Sequence, residues 1–175
     1  MIRTMSNPSD FPAFTWLEPV HSRLRLFDAE RGRAFEGVER GMPVEFRSLV
    51  EGVVGVVEDE AGLSLLILRD GLTATTLMSK GADLLMITHI GGFGDDALRE
   101  AASSLADDAF AATDVTFTVG PGGVALWEQG ADFDMASDAM MLIAADLAQR
   151  DYVVSIAADQ HAGDDRFDAI RLQRA

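Results

Sequence analysis

The chain has 175 residues, enough for one domain to bury most of its apolar surface, and its 48% hydrophobic content excludes intrinsic disorder. It contains no cysteine, which removes disulfides, thiolate nucleophiles and Cys-based metal centres. Its net charge of −15 arises in residues 51–175, where 22 acids stand against seven bases, and a chain so poor in Lys and Arg cannot neutralise nucleic acid or anionic membranes.

Residues 1–13 are polar, carry Pro8 and Pro12, and read as a flexible entry segment. They lack the apolar core of a signal peptide, and the longest apolar stretch, 139–145, is too short to span a bilayer, so a cytoplasmic location is expected. Alternation predicts two strands at 14–18 and 23–27, separated by Pro19 and Ser22. Residues 28–43 are charged and Gly-dotted, hence a loop or a short helix. The runs 49–57, 63–69, 72–78 and 83–89 are rich in Val, Ile, Leu or Thr and predict a meander of four strands. Residues 58–62 and the Asp70-Gly71 pair are read as its hairpin connections, Asp-Gly because it accepts positive φ.

Gly91-Gly92-Phe93-Gly94 ends this series before a helix at 95–110. Leu98, Ala101, Ala102, Leu105 and Ala109 share one face of it, and Asp95 or Asp96 caps its first N–H groups. Strands follow at 115–119, 124–128, 140–147, 152–158 and 167–172, with Gly120-Pro121-Gly122-Gly123 as a tight turn. The run 140–147 is compatible with a helix, and we assign it as a strand. The expected fold is α+β, a mainly antiparallel β-sheet of about 9–11 strands with one amphipathic helix packed on it. It forms a single domain over 14–175, divisible into two related β-rich halves, 14–94 and 111–175, joined by the helix.

No catalytic constellation emerges. His21, His89 and His161 are scattered and lack the spacing of a helical metal pair. The string from His89 to Asp96 resembles an anion-binding loop, but two aspartates occupy the position where phosphate would sit, so it reads as a turn and helix cap. Asp132, Asp134 and Asp138 suggest a calcium loop whose sixth and twelfth positions, Ser137 and Ile143, do not fit; they read as a solvated loop. No Gly-x-Ser-x-Gly elbow occurs, and neither a metal nor a cofactor is expected.

Trp16-Leu17-Glu18, Leu24-Arg25-Leu26, residues 61–68 with Asp70, Thr73, Thr75 and Thr76, Phe117-Thr118-Val119, and Gly122-Gly123-Val124-Ala125-Leu126-Trp127 follow one another across residues 16–158. In order and spacing they resemble the immunity protein 21 family of bacterial polymorphic-toxin systems. The resemblance implies a non-enzymatic inhibitor of a cognate toxin and carries over no binding residues. The first expectation is accordingly a protein-binding module whose acidic face, comprising Asp95, Asp96, Asp107, Asp108, Asp132, Asp134 and Asp138, attracts a basic toxin and occludes it. One alternative is a small ligand-binding protein or enzyme with a pocket at His89 and nearby carboxylates. Another is an oligomeric structural domain with Met140 and Met141 at a subunit interface. The acidic surface also has a simpler reading as a solubility device.

Overall fold

The computed structural model describes residues 16–37, 43–59, 62–69, 73–138 and 141–175. Within them eleven strands build two antiparallel sheets. The first runs β2 (Phe46–Val50), β3 (Val54–Asp59), β4 (Gly62–Ile67), β1 (Leu24–Asp28), β8 (Val124–Glu128) and β9 (Leu142–Ala145). The second runs β5 (Thr73–Lys80), β6 (Asp83–Ile90), β11 (Asp165–Arg174), β10 (Arg150–Ala162) and β7 (Ala111–Val119).

The sheets face one another because alternate side chains on each are apolar. Leu24, Leu26, Leu65, Val124 and Leu126 from the first meet Met86, Phe117, Val154, Ile156, Ile170 and Leu172 from the second in one buried cluster. Each such side chain withdrawn from water stabilises the fold by about 1.5–3 kcal/mol before entropy is counted. Both outer faces are covered as well. Over the first sheet, α1 (Ala29–Gly32) and α3 (Phe133–Asp138) close an aromatic cluster in which Phe27 stacks on Trp127 at 4.2 Å and Phe133 meets Trp127 edge-on at 5.5 Å. Over the second, Leu98 and Ala102 of α2 (Asp96–Ser103) pack on Leu85, Ile87, Phe167 and Ala169. Strands β1 and β8 are therefore buried on both faces along their whole length.

The α+β fold and its antiparallel character agree with the sequence reading, and the run 140–147 does contain a strand, β9. Several local readings need correction. The run 49–57 is two strands, because Glu51 and Gly52 adopt φ of 49° and 66° and reverse the chain between β2 and β3. The meander is not continuous: β3–β4 and β5–β6 are hairpins in different sheets. The Asp70-Gly71 connection, itself outside the described residues, thus leads from one sheet to the other. Gly120-Pro121-Gly122-Gly123 also crosses between sheets, from β7 to β8, and is tied down by Asp28, whose carboxylate accepts from Gly120 N–H. Ala29 N–H donates to the Gly123 carbonyl at 2.9 Å.

The predicted helix 95–110 stops at Ser103 and is followed by a short 3-10 turn, Asp107–Ala109. Two further short helices, α1 and α3, accompany it, and α3 occupies what reads in sequence as a solvated loop. The segment 14–18 contributes a single bridge, Leu17 to Thr75, with Phe14 and Thr15 outside the described residues along with the predicted entry segment 1–13.

Candidate interaction surface

The strand orders give the sandwich one closed side and one open side. On the closed side β9 of the first sheet touches β5 of the second; on the other, β7 lies against β4, leaving β2 as the outermost strand of the first sheet. Among the described residues β2 pairs with β3 alone. Its Phe46 and Leu49 are 38% and 64% exposed, and the Phe46 ring lies over Gly55, where any Cβ would collide with it. Beside this edge, Arg47, Ser48, Val56, Leu63, Val115 and Thr116 line a cleft of about 260 Å³ between the sheets. Asp114 also lines it, Glu58 engages Arg47 at 3.2 Å, and Glu45 and Glu51, which flank β2 in the chain, are exposed. A strand edge with no second partner among the described residues, with exposed apolar side chains and acidic residues near it, can accept an extended, positively charged segment by main-chain pairing.

The acidic residues singled out from sequence do not converge on one face. Asp95, Asp96, Asp107 and Asp108 belong to the layer that α2 forms over the second sheet, whereas Asp132 and Asp134 lie at α3, over the outer face of the first. The helices sit on opposite outer faces, and that separates the two groups. Local tasks occupy several members. Asp95 caps α2 by accepting from Ala97 N–H at 2.8 Å, and Asp132 accepts from Met135 N–H at 2.7 Å. Asp107 pairs with Arg171 at 2.6 Å and Asp96 with Arg99 at 3.3 Å. The Asp138 side chain lies outside what is described.

The three histidines also remain apart in role. His89 Nδ1 bonds the Phe93 carbonyl, and its Nε2 lies 3.2 Å from Asp165 of the β10–β11 turn. The imidazole thus fastens the 89–93 turn to a neighbouring hairpin, and it lines neither the open-side cleft nor the cavity beside Arg150 and Tyr152. His161 pairs across β10–β11 with Arg166, and His21 N–H donates to Glu128 at 2.9 Å. No group of three His, Asp or Glu side chains is placed to hold a metal ion among the described residues.

Sequence reasoning misses the buried ions that hold this framework. Arg25 is 1% exposed on the outer face of β1; it pairs with Asp59 at 2.5 Å, donates to Ser64 at 2.6 Å and lies 4.5 Å from the Phe27 ring centre. Burial lowers its pKa, against the opposing pull of Asp59. Asp168, 0% exposed, accepts from Arg69 and from Asp159 N–H. The bond to Asp168 raises the Arg69 pKa further above its ordinary value. Asp159 also accepts from Arg166 at 2.5 Å, and that bond, aided by Arg69, holds its carboxyl below the usual range. The alternating pattern of an Arg or Asp in an apolar strand signals burial only when the other face is known to be covered.

Fold and surface together define an antiparallel two-sheet sandwich covered by helices on both outer faces, with β2 at an edge of the first sheet. Comparison with family models, with curated proteins and with solved structures finds no match for the chain. No helix among the described residues is long and apolar enough to cross a membrane.

Proposed function

We propose that this chain is a non-enzymatic protein-binding module that captures an extended basic segment of its partner along β2, as an immunity protein would when occluding a cognate toxin. The observation that carries the reading is the β2 edge, which pairs with β3 alone among the described residues, exposes Phe46 and Leu49, and has Glu45, Glu51, Glu58 and Asp114 exposed near it. The edge supplies main-chain donors and acceptors, the two apolar side chains supply area, and the exposed acids of this region speed encounter with a cationic partner. The net charge of −15 acts in the same direction at longer range.

Titration of the purified chain against the product of the adjacent gene tests this. The expected result is saturable binding that weakens as salt rises and falls by about tenfold or more on Leu49→Lys, as for loss of a central apolar contact. Absence of binding at low salt to any neighbouring toxin-like protein would remove the reading. Light scattering that finds a dimer, abolished by the same substitution, would instead assign the edge to a second copy of the chain.

A further inference from the structure

At the end of the sandwich where the β5–β6 turn meets the chain entering β10, a second cavity of about 240 Å³ is lined by Ser79, Asp83, Asp146, Arg150, Tyr152 and Arg174 among others. Its chemistry differs from that of the open edge. Arg150 Nε is buried and has no hydrogen-bond partner. Neither Arg150 nor Arg174 forms a side-chain ion pair with a described residue, although the chain holds 29 acids, whereas Arg25, Arg47, Arg69, Arg99, Arg166 and Arg171 all do. A buried guanidinium donor left unmade is costly, so an acceptor that reaches it is favoured. Tyr152 does not supply one: its hydroxyl donates to the Ala148 carbonyl at 3.0 Å.

We infer that this cavity binds a small zwitterion of the free amino-acid type, its carboxylate on Arg150 and Arg174 and its ammonium group on Asp146. A carboxylate matches the guanidinium fork, which offers two parallel donors from one side chain. Asp146 in the same wall disfavours a simple anion and favours a ligand that carries a positive group as well. The volume lies below that of drug-sized pockets and suits a molecule of this size. The inference is independent of what the β2 edge captures.

Calorimetric titration of the full chain with each of the free L-amino acids, and with acetate and methylamine as half-ligands, tests it. At least one amino acid is expected to bind saturably with one site per chain and more tightly than either half-ligand. Arg150→Gln should weaken it by about tenfold or more, the loss of a charge-assisted hydrogen bond. Arg150→Lys, which keeps the charge but not the fork, should weaken it also, and Asp146→Asn should weaken the amino acid while leaving acetate unchanged. A thermal melt of each variant verifies that it is folded. Lack of saturable binding by every amino acid overturns the site; acetate binding as tightly as the best of them, or indifference to Asp146→Asn, overturns the zwitterion assignment.

Discussion

Arg69 and Asp168 join the two sheets through an ion pair. Arg69 follows β4 of the first sheet, Asp168 sits in β11 of the second, and Nε and Nη2 of the arginine reach the two carboxylate oxygens at 2.7 and 2.9 Å. The carboxylate is fully buried, while the arginine retains 21% side-chain exposure. Such a pair adds little net stability over a well-packed apolar pair, but losing one member strands the other charge away from water.

Arg69→Met should therefore destabilise the chain by about 3 kcal/mol, within the range measured when one partner of a buried pair is removed. Denaturant unfolding of the parent, the single variant and the Arg69→Met/Asp168→Leu double variant checks it. The double variant is expected to recover part of the loss, because no charge is then left buried.

Two carboxylates should give pH dependences of opposite sign. Burial raises Asp83 above its ordinary value of 3.8, with Asp107 adding to the shift and Arg171 and Lys80 opposing it. Its native form thus holds a proton more readily than the unfolded one, and ionising it as pH rises through the raised value costs stability. Asp83→Asn should be more stable than the parent at neutral pH, with the gap closing towards about pH 4. Asp159 is held low by Arg166 and Arg69, so its contribution is present above the ordinary carboxylate value and lost as pH falls through the lowered one. Asp159→Asn should be less stable at neutral pH and converge on the parent in acid. Urea midpoints across this range distinguish the two.

Gly32 marks the tightest approach beneath α1: a Cβ there would lie 2.6 Å from the Trp127 ring and 2.8 Å from Phe27 Cβ. Gly32→Ala is expected to cost about 1–3 kcal/mol by displacing the stacked pair, as for overpacking elsewhere. The near-ultraviolet circular dichroism of Trp127 should change with it, and an unchanged spectrum with unchanged stability would contradict the packing described.

Leu49→Lys places charge on the exposed side of β2. Stability should change by no more than about 0.5 kcal/mol, the usual range for surface positions, while capture of a partner is lost. A stability loss of several times that size would mean that the edge is a packing surface.

Much of the secondary structure is legible in the chain because strand alternation is a local property. Val115, Phe117 and Val119 point inward between exposed Thr116 and Thr118, and the apolar face of α2 at Leu98 and Ala102 follows from helical spacing. The sheet to which each strand belongs is not local. The links at 70–72 and 120–123 carry turn residues that serve a hairpin and a crossing equally well, so the single meander read from them divides between two sheets.

The composition alone fixes the excess of acid, the lack of cysteine and an apolar content sufficient for a core. Only the tertiary arrangement decides that α2 and α3 lie on opposite faces and divide the predicted acidic patch, that Arg25 and Asp168 are buried, and that β2 pairs with β3 alone among the described residues. The reason is physical: side-chain periodicity records which face of a strand turns inward. Pairing partners, covering layers and free edges arise from contacts between residues far apart in the chain, which periodicity does not encode.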